Sequence, residues 1–253
     1  MSSPPRAASQ HQLAARLIAH RGMPLRFPEN TLLGFRAALQ AGAQYLETDV
    51  QLSADGVAVL SHDASLRRVA GIELEIPGTP FARLRDLQVA CAERFGDRYT
   101  DQRLATLDEF VSLLQQWPAA RAFIEIKPES YLVHGAATVA RVLEQLRPLQ
   151  PRSVVISFEP AVIEQLGRVN TCPAGWILPE WSEAARQTAE RLAPQFLFVA
   201  CKRVPAGPAP LWPGPWQWVV YTVNEHAAAL AWQRRGFQLI ETDCIGDLLQ
   251  AGS

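Results

Sequence analysis

The chain has 253 residues, 48% of them apolar and 19% charged, and its 24 Lys and Arg nearly balance its 25 Asp and Glu. That length is enough to bury a full core, as one large domain or two small ones. The near-neutral charge gives no electrostatic case for a nucleic-acid partner, and no apolar run is long enough for stable membrane insertion. Cys91, Cys172, Cys201 and Cys244 are widely separated and form no close metal-binding pair, so they read as core or incidental thiols. The opening Met1-Ser2-Ser3-Pro4-Pro5-Arg6 lacks the apolar stretch of a secretory signal. The expectation is a disordered tail over 1–12, then one domain over 13–253, in the cytoplasm.

Nine apolar, β-rich segments follow in chain order: Leu17–His20, Leu46–Val50, Val57–Ser61, Phe123–Ile126, Val154–Phe158, Trp176–Leu178, Phe196–Val199, Trp218–Val223 and Leu239–Glu241. Helical stretches lie between most of them, at Thr31–Ala41, Leu107–Trp117, Gly135–Leu146, Pro160–Arg168, Glu183–Leu192 and Glu225–Arg235. Alternation of this kind predicts a parallel α/β architecture. The link from Val50 to Val57 is too short for a parallel crossover, and its Asp55-Gly56 is a hairpin signal. Val57–Ser61 is therefore predicted to fold back antiparallel. Eight parallel strands remain, the count of a (β/α)8 TIM barrel. A doubly wound open sheet is the alternative. A long connection, Arg67–Leu104, is predicted to carry a helix at Phe81–Arg94 and to form a lid or wall over the barrel mouth. Val204–Pro215 holds Pro205, Pro208, Pro210, Pro213 and Pro215, which predicts an irregular crossover before the seventh barrel strand.

In a barrel, functional groups belong at the C-terminal strand ends. His20 ends the first strand, Glu47 and Asp49 the second, Glu125 and Lys127 the third, and Thr222 and Asn224 the seventh. Side chains two apart on a strand share a face, so each of these pairs projects to one side. Acids facing a closed interior are costly unless a cation holds them. Glu47, Asp49 and Glu125 are enough oxygen donors for one Mg²⁺ or Ca²⁺. Lys127 beside such an ion makes sense if an anion sits between them, and phosphate fits; the plainer reading is a Glu125–Lys127 pair. Arg21 has the planar fork that matches phosphate oxygens. His20, and His62 on the returning hairpin, supply an acid and a base. Asn30 or Thr31 reads as the cap of the first helix, and Thr31 as a cap alone.

The ordered set His20-Arg21-Gly22, Pro28-Glu29-Asn30-Thr31, Glu47-Thr48-Asp49-Val50, Ser61-His62-Asp63, Ile124-Glu125-Ile126-Lys127, Ser157-Phe158, Thr222-Val223-Asn224 and Thr242-Asp243 resembles the glycerophosphodiester phosphodiesterases. The resemblance runs from near the start of the chain to its end. It implies a TIM barrel that hydrolyses a glycerophosphodiester, a small-molecule substrate, to sn-glycerol 3-phosphate and an alcohol, with Mg²⁺ or Ca²⁺. It implies His20 and His62 as the acid–base pair and Glu47, Asp49 and Glu125 as metal ligands. Arg21 and Lys127 would bind phosphate, with Glu29, Asn30, Phe158 and Asn224 as further substrate-side residues. It also implies attack by the glycerol 2-hydroxyl and a cyclic phosphate intermediate. Aromatic residues such as Phe158 and Trp176 are expected near the leaving alcohol, and Val204–Pro215 on the pocket rim. The rival readings are a lysophospholipase D-type enzyme, with an apolar groove of Trp212, Trp216 and Trp218, and a non-catalytic glycerol-phosphate-binding barrel. Tyr221 stands where the family usually has Trp, and no proline closely follows Thr242-Asp243.

Overall fold

A computed structural model describes residues 13–207 and 210–251; the tail expected over 1–12 lies outside the described residues. Nine strands form one sheet: β1 (Leu17–Ala19), β2 (Tyr45–Leu52), β3 (Ala58–Leu60), β4 (Arg121–Ile126), β5 (Ser153–Ser157), β6 (Ala174–Ile177), β7 (Phe196–Ala200), β8 (Gln217–Tyr221) and β9 (Leu239–Thr242). All of them except β3 are parallel to their neighbours, and β1 closes the ring by pairing with both β9 and β2. Ile18 lies opposite Tyr45 on one side and Glu241 on the other. β3 runs antiparallel to the far end of β2, with Val50 opposite Leu60 and Leu52 opposite Ala58. This is the eight-stranded barrel with a hairpin that the sequence predicts; the open-sheet alternative is excluded by the β1–β2 pairing.

The barrel interior is apolar below and charged above. Ile18, Phe123, Ile156, Ile177, Phe198, Val219 and Leu239 form the inner cluster. The Phe123 ring meets Phe196 and Phe198 edge-on, with centroids 5.1 and 5.4 Å apart. Truncating such a ring to Ala costs about 3–5 kcal/mol. Period-two alternation sends Leu46, Val50, Ile124 and Ile126 outward into the helix-facing core and leaves the alternate residues Glu47, Asp49 and Glu125 to the interior.

Local chemistry fixes the helix starts. Thr31 caps Leu32–Gln40, its hydroxyl accepting from the Gly34 N–H at 3.2 Å. Thr106 and Glu109 form a reciprocal capping box on Leu107–Gln115. Three helices lie outside the sequence expectations: the single turn Arg67–Ala70; Pro128–His134, set off from Ala136–Leu146 by Gly135 at φ +58°; and Ile245–Gln250, which follows β9. No described helix is long and apolar enough to cross a membrane.

Two loops differ from expectation in informative ways. The helix expected at Phe81–Arg94 is instead two single turns, Phe81–Leu84 and Ala92–Phe95, because Cys91 between them takes φ +48° and Gln88 bridges to Arg103. The segment from β3 to Leu107 builds a small core of its own around Val59, Leu66, Ile76, Leu84 and Leu104. Among its described residues the proline-rich crossover holds no helix or strand, as predicted; a short turn at Cys201–Arg203 precedes it. Its Trp212 and Trp216 pack around Trp218 on the helix-facing side of β8. There they stand in for a missing helix. The apolar groove expected of these three tryptophans at the mouth is therefore absent.

Candidate active site

The first histidine is held at both ring nitrogens. His20 Nδ1 lies 2.6 Å from Asp243 Oδ1, and its Nε2 lies 3.4 Å from Glu241 Oε1 and 4.0 Å from Glu47 Oε2. A carboxylate at Nδ1 selects the Nδ1–H tautomer and leaves Nε2 as the working nitrogen. Asp243 is itself held: Asn224 Nδ2 donates to its Oδ2 at 3.2 Å, and Asn224 Oδ1 accepts from the Asp243 N–H at 2.9 Å. Asn224 thus orients Asp243.

The next residue, Arg21, turns back over the carboxylates. It adopts φ +50°, and Gly22 after it adopts φ +88°. A side chain at Gly22 would place its Cβ 2.8 Å from the Gly34 carbonyl carbon, so only glycine fits. Arg21 Nε lies 2.9 Å from Asp49 Oδ2 and Nη1 lies 3.1 Å from Glu29 Oε1. Asn30, also at positive φ, donates to Asp49 Oδ2 at 2.9 Å and accepts from Thr48 at 2.8 Å. Lys127 Nζ contacts Glu125 Oε1 at 2.7 Å and Asp49 Oδ1 at 3.4 Å. The Glu125–Lys127 pair of the plainer reading is therefore present.

Glu47, Asp49 and Glu125 are all buried, and each offers an oxygen within 4.8 Å of the others. Asp49 Oδ1 is buried without a hydrogen bond, with only the Lys127 ammonium 3.4 Å away. Three converging hard oxygen donors, one of them short of hydrogen bonds, fit a divalent cation. The energetics agree. Burial first, then the charges of Asp49 and Glu241, push the Glu47 carboxyl well above its ordinary range. Burial lifts Glu125 to about 7 although Lys127 opposes it. Burial also lifts Glu241 to about 7 against the pull of His20 and Arg21. At Asp49 burial is outweighed by Arg21 and Lys127, which hold it below the ordinary carboxylate range. A cation would offset the repulsion that keeps protons on these acids.

His62 comes over the site on the returning hairpin. Its Nδ1 lies 2.6 Å from Asp63 Oδ1, a second His–Asp dyad, and its side chain is 36% exposed against 14% for His20. Burial and the cations Arg21 and Lys127 lower its affinity for a proton. Burial acts the same way on His20 but is overcome by Glu241 and Asp243, which raise it. That rise belongs to the carboxylate field, and a cation on Glu47 would remove part of it.

The groups surround a cavity of about 90 Å³, lined by His20, Arg21, Glu47, His62, Glu125 and Lys127 and walled by apolar residues that include Phe158 and Phe198. The expected metal, acid–base and phosphate residues line it or touch a residue that does, except Asn224, which among the described residues reaches only Thr242, Asp243 and Cys244. Phe158 is there, but Trp176 faces the helix layer, its indole N–H donating to the Phe158 carbonyl. Among the described residues neither 67–104 nor 204–215 contributes a lining side chain to this cavity. Glu241 lines the cavity without a sequence expectation behind it, and so does Tyr221, noted in the sequence only as a departure from the family's Trp. Glu241 and Asp243 sit two apart at the end of β9, the same spacing that exposed Glu47 and Asp49.

A barrel whose C-terminal end gathers two His–Asp dyads, a fork-bearing arginine and a cation-fitting trio of acids defines the class: a TIM barrel with a built acid–base and cation-fitting site. Residues 20–206 match the glycerophosphoryl diester phosphodiesterase family, and the chain belongs to it. Glycerophosphodiester phosphodiesterase 1 of Mus musculus is 31% identical over 149 residues, which are 59% of this chain and 44% of that protein. The match thus spans less than half the length of that relative. An Oleispira antarctica phosphodiesterase in complex with the product sn-glycerol-3-phosphate superimposes with a TM-score of 0.81 at 24% identity, over 96% of this chain and 98% of that one. A glycerophosphodiester phosphodiesterase of Agrobacterium tumefaciens does so at 0.73 and 22%, over 94% and 99%. At these identities the likeness shows the shared barrel.

Proposed function

We propose that this protein hydrolyses glycerophosphodiesters to sn-glycerol 3-phosphate and an alcohol, with one Mg²⁺ or Ca²⁺ held by Glu47, Asp49 and Glu125. The observation that carries the reading is the pair of dyads, His20–Asp243 and His62–Asp63, on one cavity with Arg21 and the three acids. Binding alone needs no such pair of proton-handling groups; cleavage of a phosphodiester needs one to accept a proton and one to donate. The product named for the Oleispira antarctica protein is in keeping with this chemistry.

His20 is the deeper histidine, so its Nε2 takes the proton of the glycerol 2-hydroxyl as that oxygen attacks phosphorus. The bond from phosphorus to the departing alcohol breaks, and His62, nearer the opening, protonates the alkoxide. Tethering makes this attack intramolecular. Water then opens the cyclic phosphate with the roles reversed. His62 takes a proton from water, and His20 returns one to the 2-oxygen. Arg21 and Lys127 orient the phosphoryl oxygens, and Asp243 and Asp63 keep each imidazole in its working tautomer. The bound cation supplies positive charge against the phosphoryl oxygens.

A small cavity and tryptophans turned away from the mouth favour short glycerophosphodiesters over lysophospholipids. A cytoplasmic site of action accords with four free, unbridged cysteines. The test is a substrate panel: glycerophosphocholine, glycerophosphoethanolamine and lysophosphatidylcholine, with glycerol 3-phosphate as the readout. Release of lysophosphatidic acid in preference to glycerol 3-phosphate would replace this reading with the lysophospholipase D one.

A further inference from the structure

Arg68 reaches two carboxylates at once. Its Nη1 and Nη2 fork onto Glu29, at 2.5 Å from Oε2 and 2.9 Å from Oε1, while its Nε donates to Asp63 Oδ2 at 2.7 Å. Each carboxylate continues inward. Glu29 Oε1 accepts from Arg21 Nη1 at 3.1 Å, and Asp63 Oδ1 pairs with His62 Nδ1 at 2.6 Å. A continuous line of charge-assisted bonds therefore joins Arg21 to His62, and Arg68 is its midpoint. The two ends come from different parts of the barrel, the β1 loop and the β3 hairpin. Arg68 ties them directly, beside the separate holds that β2 has on each, Asp49 on Arg21 and Gln51 on the His62 carbonyl.

The anchor of Arg68 is built for this. It sits on the single helical turn Arg67–Ala70, ended by Gly71 at φ +71°. Its neighbours Leu66 and Val69 are buried in the small core of the hairpin segment, and the Val69 carbonyl accepts from the Cys91 N–H. The segment that lines no part of the cavity thus carries one side chain aimed at the residues behind it.

We propose that Arg68 is a positioning residue: through Glu29 and Asp63 it sets the phosphate-binding Arg21 and the proton donor His62 in register with each other. This rests on the reading of His62 as the acid for the leaving alcohol. Exposed ion pairs ordinarily contribute little, about 0–1 kcal/mol. Arg68 is 45% exposed, so its role should show in reactivity more than in stability. A planar fork shared between two acids is a geometry that lysine cannot reproduce.

The experiment compares wild type, Arg68→Met and Arg68→Lys with Mg²⁺ or Ca²⁺ present, on glycerophosphocholine and on the 4-nitrophenyl diester of glycerol phosphate. Misplacing a reacting group by about 1 Å costs on the order of 10²-fold in rate. Arg68→Met should lose roughly 10- to 100-fold in kcat on glycerophosphocholine and far less on the nitrophenyl diester, whose leaving group hardly needs an acid. Arg68→Lys, which keeps the charge and should fold in any case, should fall between. Equal losses on both substrates, or Arg68→Lys equal to wild type on both, would overturn the proposal. A second readout does not depend on turnover. Ring ¹⁵N shifts should hold neutral His62 in the Nδ1–H tautomer in wild type and move it toward Nε2–H in both variants. An unchanged tautomer overturns the proposal even if the wild-type protein hydrolyses neither diester, a result that would by itself refute only the proposed reaction.

Discussion

Asp243 holds His20 by Nδ1 at 2.6 Å, and Asn224 holds Asp243 by its other oxygen at 3.2 Å. The working tautomer of the deeper histidine is thus set by a residue at the far end of the chain. Asp243→Asn keeps the size and removes the charge that selects Nδ1–H. Its kcat should drop by roughly 10²- to 10⁴-fold. Far-UV circular dichroism and Tm should stay near wild type. Steady-state turnover within a few-fold of wild type would show that the dyad does not orient the base.

Removing any one of the converging acids should weaken cation binding as well as turnover. Glu47→Ala, Asp49→Ala and Glu125→Ala each delete an oxygen donor and leave the remaining acids to repel one another. Titration calorimetry with Mg²⁺ and Ca²⁺ reads this directly. If all three variants bind the ion as tightly as wild type, the cation lies elsewhere.

The two histidines should separate by leaving group. His20→Ala and His62→Ala should each lose roughly 10²- to 10⁴-fold in kcat on glycerophosphocholine while retaining the cation. On a nitrophenyl diester, His62→Ala should recover much of its rate and His20→Ala should not. Recovery by His20→Ala alone would exchange the two roles.

Stability should fall in acid through Glu29. Burial opposes its charge, but the hydrogen bonds and charges of Arg68 and Arg21 prevail and lower its pKa below the ordinary carboxyl value. A carboxyl lowered in the folded state contributes stability that is present above its unfolded pKa, about 4.3. That contribution is lost as pH falls through the folded value. Glu29→Gln should therefore have a lower Tm than wild type at pH 6, and the gap should narrow toward pH 3. A gap that stays constant across this range would mean that Glu29 contributes nothing through its charge.

Much of the barrel can be read from the sequence because each strand carries its own signal. All nine apolar runs became strands, with ends shifted by a few residues, and Asp55-Gly56 marked the one reversal. Glu47, Asp49 and Glu125 were readable because acids on the inner face of a closed barrel break the apolar pattern. Glu241 and Asp243 break it in the same way, but the apolar run stops at Glu241, so the sequence does not place Asp243 on the same strand face. Arg68 has no periodic signal at all. A lone arginine on a one-turn helix becomes meaningful only when folding places Glu29 and Asp63 on either side of it. The turns between Phe81 and Phe95 escaped for a related reason: Cys91 takes a left-handed conformation that its residue type does not announce.

The central claim is that a divalent cation on Glu47, Asp49 and Glu125 works with the two dyads to cleave a glycerophosphodiester. Its most direct test is hydrolysis of glycerophosphocholine by the purified protein after EDTA treatment and then after add-back of Mg²⁺ or Ca²⁺ singly, with both products quantified. The account predicts loss of activity with EDTA, recovery with at least one of the two ions, and equimolar choline and sn-glycerol 3-phosphate. Undiminished hydrolysis in EDTA, or none with either ion restored, would contradict it.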